Sequence, residues 1–95
     1  MHLEIITPES KIFSGEAEAV QFPGLDGSFQ VLDNHAAIIS ALAKGVVKAN
    51  LNTAFSSPNS NELIKVDASD KKVIRVEIKG GVMEMQNNKV IVLAE

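Results

Sequence analysis

The sequence predicts an all-β fold, an antiparallel β-sandwich or flattened barrel of about eight to ten short strands. Turn-forming residues recur about every 8–12 residues, and the apolar stretches between them alternate with a period of two. No stretch has the periodicity of an amphipathic helix. A chain of 95 residues is expected to form a single domain, residues 1–95, with a polar hairpin insertion over residues 52–72.

Composition and charge exclude several classes of function. The chain has four Phe and no Trp or Tyr, so its core is aliphatic and surfaces that stack bases or sugars are scarce. The net charge is −3 and the nine Lys and Arg are scattered, which argues against nucleic-acid binding. The absence of cysteine excludes a disulfide framework, thiolate metal ligands and thiol catalysis.

The sequence also shows neither a secretory signal nor a membrane-spanning segment. The N-terminus has neither the basic region nor the apolar region of a secretory signal. The longest charge-free apolar run, Ala36–Ala43, is much shorter than the roughly 18–20 residues that cross a bilayer. We therefore expect a soluble protein, which can attach to a membrane only indirectly, through a complex.

The first third of the chain contains two predicted strands and a tight turn. Leu3–Thr7 is the opening strand, and a proline ends it because proline donates no ladder hydrogen bond. Within Ile12–Phe22 the apolar residues change parity, which a β-bulge or sharp bend near Ala19 would explain. Gly24–Gly27 is the strongest turn signal, since both glycines can adopt positive φ.

The middle of the chain holds the least certain strand. Phe29 and Val31 share one face of the strand that follows the turn. The continuous apolar run Ala36–Ala43 fits a short helix or a strand, and we favour a strand. Such a run either fills the core or forms an exposed patch, and both remain open. Gly45–Leu51 then alternates clearly.

The second half repeats the pattern of strands and turns. Asn87 and Asn88 suit a two-residue hairpin because asparagine tolerates positive φ. The other predicted elements are a loop at Thr53–Asn61, an edge strand at Leu63–Val66, a turn at Asp67–Lys72, a half-buried strand at Val73–Lys79 and a closing strand at Lys89–Ala94.

Candidate catalytic and metal-binding groups have simpler structural explanations. His35 lies near Asp33 and Asp26, but these residues lack the spacing of a zinc or calcium site. Gly24 and Gly27 precede no helix and no Lys-Ser/Thr pair, so they indicate a hairpin rather than a phosphate cradle. We therefore predict no catalytic residues, no metal, no cofactor and no small-molecule substrate.

Three runs of residues appear in a distinctive order: L-x-I-I-T-P-x-x-x-I-F-S-G-E-A from Leu3, V-x-F-P-G-x-D-G-S-F-x-V-L from Val20, and N-H-A-A-I-I-S-A-L from Asn34. With Gly80–Glu84 and Val90–Ala94, this order resembles the epsilon subunit of F-type ATP synthases, called delta in mitochondria. The resemblance implies a β-sandwich and a non-catalytic subunit of the rotor's central stalk. Such a subunit binds the gamma subunit and the membrane c-ring and couples ion-driven rotation to ATP synthesis.

Site residues follow from the same resemblance. The family's segment G-x-x-G-[IV]-x-P-x-H-x-P falls on residues 27–37. The resemblance implies that the c-ring side includes Gly27 and Ser28. It also implies that the gamma side includes Thr7, His35, Ala36, Ile38, Ile39 and Ser40.

Several positions depart from the family pattern. Gln30, Asp33 and Ala37 stand where the family often has Gly, Pro and Pro, so we expect a less rigid loop. The family typically continues into two C-terminal helices that brake ATP hydrolysis, whereas this sequence stops at Glu95. We expect a subunit that couples rotation without that helical hairpin; the alternative is that this sequence is a piece of a longer one.

Two hypotheses for function therefore come from the sequence. The first is the stalk subunit, peripheral on the cytoplasmic face of the bacterial inner (plasma) membrane. The alternative is a stand-alone β-sandwich module that binds a peptide or ligand, for which short edge strands and a long loop are suitable.

Overall fold

Nine strands form in the computed structural model of the chain, which describes residues 1–56 and 61–95. The predicted all-β class is confirmed, and no helix in these two ranges is long and apolar enough to cross a membrane. Part of the predicted loop at Thr53–Asn61 lies outside the described residues. The strands are β1 His2–Ile6, β2 Lys11–Gly24, β3 Gly27–Leu32, β4 Ile38–Leu42, β5 Gly45–Leu51, β6 Ile64–Val66, β7 Val73–Ile78, β8 Gly81–Gln86 and β9 Lys89–Ala94.

The long strand β2 joins the two layers of the fold. The strand order is β1-β9-β8-β4-β2-β5-β7-β6, with β3 paired to β2. The first part of β2 pairs with β1, and the second part pairs with β3 and β5. Its register with β5 shifts between Ala17 and Ala19, which confirms the predicted bulge. Because a bulge bends a strand, β2 contributes to both the β1-β9-β8-β4 layer and the β3-β2-β5-β7-β6 layer.

One pairing differs from the antiparallel arrangement that the sequence predicts. Strands β1 and β9 run parallel, with His2 opposite Lys89 and Ile6 opposite Leu93. The other pairings among the described residues are antiparallel. The two terminal strands have no hairpin between them, so no turn imposes an antiparallel direction on the pair.

The core is aliphatic, and it lies between the two layers. Alternate residues of each strand point inward, as Leu3 and Ile5 do in β1 and Val90 and Val92 do in β9. Among the described residues every buried side chain is hydrophobic. Full burial of such a side chain contributes about 1.5–3 kcal/mol, so this core is the main source of stability.

The predicted turns form where asparagine and glycine occur. A Leu25–Asp26 turn connects β2 to β3, and Gly27 has φ of +121°. Gly24, by contrast, is a regular residue of β2, so positive φ is needed at Gly27 alone of the two glycines. Asn87 and Asn88 connect β8 to β9 with φ of 54° and 58°, as the sequence predicts.

The segment that the sequence predicts to be an insertion contains a short edge strand, and Asp67 organises the turn that follows it. Strand β6 pairs with the outer edge of β7, as predicted. The Asp67 carboxylate accepts hydrogen bonds from the backbone amides of Ser69 and Asp70, each at 3.0 Å, and from the Arg75 guanidinium at 2.9 Å. The Arg75 guanidinium and the Ser69 hydroxyl and amide hold the pKa of Asp67 well below its ordinary value.

We expect Asp67→Asn to destabilise the protein at neutral pH, and the difference from wild type to shrink in acid. A carboxyl group whose pKa is lowered by folding contributes stability above its unfolded pKa and loses it as the pH falls through its folded pKa. Urea unfolding midpoints of both proteins, measured at pH 7 and pH 3, test this. A difference that grows at pH 3 would contradict the role assigned to the carboxylate.

Candidate partner-binding surface

The apolar run that the sequence left ambiguous forms a strand over Ile38–Leu42, and its exposed residues alternate with half-buried or buried ones. Strand β4 pairs with β8 along its whole length but meets β2 only where Leu42 lies opposite Gly24. Leu42 is buried, whereas the side chain of Ile39 is 71% exposed. Of the two possibilities, core or patch, the structure therefore shows both, because one side of β4 faces the core and the other side is exposed.

Apolar side chains continue from β4 across the outer side of its layer. In the strand register, Ile6, Leu93, Val82 and Ala41 form one row across β1, β9, β8 and β4. Leu93 is 56% exposed and Val82 is 42% exposed. A neighbouring row brings Ile91 and Ile39 to the same side. The outer apolar face is defined here as Ile6, Ile39, Ala41, Val82, Ile91 and Leu93.

The paired charged groups of the layer lie at one side of this face, whereas the exposed Glu84 lies within it, between Ile91 and Ile39 in the register. Glu4 is in the same row as Ile91 and lies 3.3 Å from the Lys11 ammonium and 3.4 Å from that of Lys89. The hydrogen bond from Lys11 is the main cause of a lowered pKa for Glu4. His2 contacts both Glu4 and Glu16, at 3.4 Å and 2.8 Å. These pairs leave the centre of the outer apolar face free of salt bridges among the described residues.

The residues predicted to face gamma divide into two groups. Ile39 points outward, whereas Ile38 and Ser40 point to the other side of β4, opposite the buried Met85 and Met83. His35 and Ala36 are exposed in the loop between β3 and β4. The structure therefore places Ile39, His35 and Ala36 at the surface and leaves Ile38 and Ser40 half-buried.

Thr7 lies at the far side of the same layer. It follows Ile6, which is three strand spacings, about 14 Å, from Ala41 in the row. Its hydroxyl donates to the Ser10 carbonyl at 3.1 Å and accepts from the Ser10 amide at 3.2 Å. Thr7 thus closes the β1–β2 turn and borders the outer apolar face rather than forming its centre.

A cleft of about 520 Å³ separates the β2–β3 hairpin from β4. Gly27 and Ser28, predicted to face the c-ring, line one wall with Phe29. Ile39 and Ser40, predicted to face gamma, line the opposite wall. The residues that the sequence assigned to different partners are therefore adjacent in the fold.

The loop that carries His35 is held at several points. The Asp33 amide donates to the Glu18 carbonyl at 3.2 Å, and the His35 amide donates to the Leu32 carbonyl at 3.1 Å. The α-amino group of Met1 donates to the Asp33 carboxylate. This amino group, and next the Asn88 side chain, hold the pKa of Asp33 below its ordinary value. These contacts hold the loop at Asp33 and at His35.

The imidazole of His35 takes part in this local structure. Its Nδ1 lies 2.8 Å from the carbonyl oxygen of Ala36, and its side chain is exposed. Asp33 is engaged by the α-amino group of Met1 rather than by the imidazole. Over residues 1–56 and 61–95 no group of three or more His, Asp or Glu side chains is arranged to hold a metal ion.

Sequence reasoning predicted Ile39 of the outer apolar face and missed its other five residues: Ile6, Ala41, Val82, Ile91 and Leu93. In β9 both faces of the strand are apolar, so alternation cannot indicate which one is covered. Val82 and Glu84 share the exposed side of β8. Glu84 and Gln86 are the polar residues in the sequence that could have identified the exposed side of β8.

Comparison with known proteins agrees with this fold. Residues 1–57 match the family described as ATP synthase, Delta/Epsilon chain, beta-sandwich domain. A chain in the solved central stalk and c-ring of the mitochondrial ATP synthase of Tetrahymena thermophila superposes with a TM-score of 0.68 at 14% identity. The match covers 99% of this chain and 62% of that one, and it shows a shared fold.

Relatives in sequence point to the same family. The ATP synthase epsilon chain of Chlorobium limicola is 38% identical over 93 residues, which are 98% of this chain and 86% of the relative. The epsilon chain of Sulfurimonas denitrificans is 38% identical over 95 residues, the whole of this chain and 60% of the relative. On these matches the chain belongs to the ATP synthase delta/epsilon chain family, as a non-catalytic epsilon-type subunit with that family's β-sandwich fold.

Proposed function

We propose that this chain is a central-stalk subunit that binds gamma through the outer apolar face and the His35 loop, and binds the c-ring through the tip of the β2–β3 hairpin. The observation that carries the proposal is the outer apolar face itself. Large apolar side chains in adjacent rows of one layer are unusual on the surface of a monomer and are typical of protein-binding sites.

The shape and the apolar chemistry of the outer apolar face suit a contact with gamma. The face extends across β4, β8, β9 and β1, so it suits a partner that lays an apolar surface across several strands. Burial of apolar area stabilises such a contact by about 25 cal/mol per Å² before the costs of association. Ile39, the most exposed large apolar residue of the face, is the expected centre of the contact.

The polar tip of the β2–β3 hairpin suits a contact with the c-ring. Asp26, Gly27 and Ser28 are exposed, and the tip is polar apart from Leu25. A polar tip suits contacts with the polar loops of a membrane ring. Because the tip forms one wall of the cleft and β4 forms the other, one rigid body would touch both partners, as transmission of torque requires.

The site of action follows from the partners. We place the chain at the cytoplasmic face of the bacterial plasma membrane, peripheral and held only through the complex. The alternative of a stand-alone peptide- or ligand-binding module gains no support from the relatives, which are ATP synthase epsilon chains.

A binding experiment with purified gamma tests the proposal. The wild-type chain is expected to bind gamma and to copurify with gamma and the c-ring. The double variant His35→Ala with Ile39→Asp is expected to raise the Kd for gamma at least about tenfold, because it removes a loop contact and places a charge on the apolar face. Isothermal titration calorimetry measures both.

The matched control is Val66→Asp in β6. This strand ends the strand order on the side away from the outer apolar face. Val66 is 40% exposed, so the control, like Ile39→Asp, replaces an exposed β-branched residue of a strand with aspartate. We expect its Kd to equal that of wild type. Equal affinities of the double variant and the control for gamma would refute the assignment of this face.

A further inference from the structure

We propose that Asn88, at the tip of the β8–β9 hairpin, is a positioning residue that holds the His35 loop in its partner-binding conformation. The inference rests on the proposed function, because it concerns the loop assigned there to gamma. Asn88 is 53 positions from His35 in the sequence. The sequence pattern indicates a role for Asn88 in its own turn and none in the site.

The contact that carries the inference joins the two segments directly. The backbone amide of Asn34 donates a hydrogen bond of 2.8 Å to the Oδ1 atom of Asn88. Asn34 immediately precedes His35, so this bond fixes the Asp33–Asn34 peptide group, one residue before His35. On the other side, the His35 amide is held by the Leu32 carbonyl. The bond from Asn88 therefore completes the restraint of the loop next to His35.

The backbone at this contact is unusual in a second way. Asn34, Asn87 and Asn88 have φ of 63°, 54° and 58°, and they are the residues other than glycine with positive φ in the described part of the chain. Two of the three are joined by the hydrogen bond above, and the third is adjacent in sequence. Positive φ costs most residues other than glycine about 1–2 kcal/mol, and it costs asparagine less because its short polar side chain can bond the local backbone. A conformation of this kind persists where surrounding contacts hold it.

The restraint has a consequence for binding. A loop that is already ordered loses less conformational entropy when a partner binds it. Removal of the Asn88 side chain leaves the Asn34 amide without its protein acceptor, so the loop would sample other conformations before binding. We therefore expect a weaker complex without any change in the residues that touch gamma.

The test uses Asn88→Gly, with Asn87→Gly as its matched control. Glycine accepts positive φ at both positions, so the hairpin turn is retained in both variants. Within the described residues the side chain of Asn87 has no hydrogen bond to the loop, and that of Asn88 does. Amide hydrogen exchange of Asn34 and His35 by NMR, the Kd for purified gamma and the thermal midpoint are measured for each.

We expect Asn88→Gly to accelerate exchange of the Asn34 amide at least about tenfold and to raise the Kd about three- to tenfold. Asn87→Gly is expected to change neither. In a double-mutant cycle, the effect of Asn88→Gly on Kd should shrink when His35 is already alanine, because a positioning residue acts through the residue that it positions. An additive cycle, or equal behaviour of the two glycine variants, would overturn the inference.

The cycle also separates this inference from the proposed function. If His35→Ala alone leaves the Kd unchanged, the gamma contact assigned to the loop fails. The positioning role is then judged by hydrogen exchange, and an unaltered Asn34 amide in Asn88→Gly would end it. If His35→Ala weakens binding while Asn88→Gly matches its control, the function stands and the inference fails.

Discussion

Phe22→Ala is expected to lower the free energy of unfolding by about 3–5 kcal/mol, which is a large part of the total for a domain of this size. The Phe22 side chain is fully buried, and its ring lies 5.4 Å from that of Phe29. Truncation would open a cavity beneath the β2–β3 hairpin, because β2 is covered on both edges and cannot collapse freely. Urea denaturation followed by circular dichroism measures the change.

Phe29→Ala serves as the comparison because it removes the same ring from a half-buried site. Its loss is expected to be smaller, since part of the ring is already in contact with solvent. Both variants remove the contact between the two rings, so the difference between them reports the burial of Phe22. Equal losses would mean that the core does not extend beneath the hairpin as the structure shows.

Gly81→Ala is expected to cost about 3 kcal/mol or more, and to disturb β4 together with β8. Gly81 has φ of +149°, which side chains of L residues rarely adopt. A Cβ atom there would lie 2.2 Å from the Leu93 carbonyl oxygen, so β8 and β9 would have to separate. Gly81 also lies opposite Leu42 of β4, and we therefore expect weaker gamma binding even where the variant remains folded.

Gly27→Ala measures the cost of placing a side chain at positive φ, without the steric clash that Gly81→Ala adds. Gly27 also has positive φ, at +121°, but no heavy atom lies within 4 Å of the position that its Cβ would take. The expected cost is therefore the conformational one alone, about 1–2 kcal/mol. Thermal midpoints of the two variants test the comparison. A midpoint for Gly81→Ala as high as that for Gly27→Ala would show that β8 and β9 tolerate the added methyl group.

Much of the fold could be predicted because local rules govern it. The alternation in Val73–Ile78 indicates a half-buried strand wherever the strand pairs, and β7 has that burial pattern. The change of parity near Ala19 indicates a bulge because only an extra residue lets both apolar sets face inward. The hairpin at Asn87–Asn88 follows from the φ preference of asparagine.

The candidate site was harder to predict because its exposed faces depend on distant neighbours. Ile38–Leu42 and Val90–Leu93 are apolar on both sides, so no periodicity indicates which side another layer covers. For the same reason the row from Ile6 to Ala41 could not be foreseen: it depends on the register of four strands. From resemblance, the sequence predicts gamma contacts for His35 and Ile39, and these remain predictions that the binding experiment tests.

The amino-acid order alone was therefore enough to specify an all-β chain, the positions of its strands and turns, and the aliphatic character of its core. Tertiary packing settled the parallel pairing of β1 with β9, the exposure of β4 and the hydrogen bond from Asn34 to Asn88. The physical reason is the range of the forces involved. Turn preference and alternation act between near neighbours, whereas exposure and register depend on contacts between residues far apart in the chain.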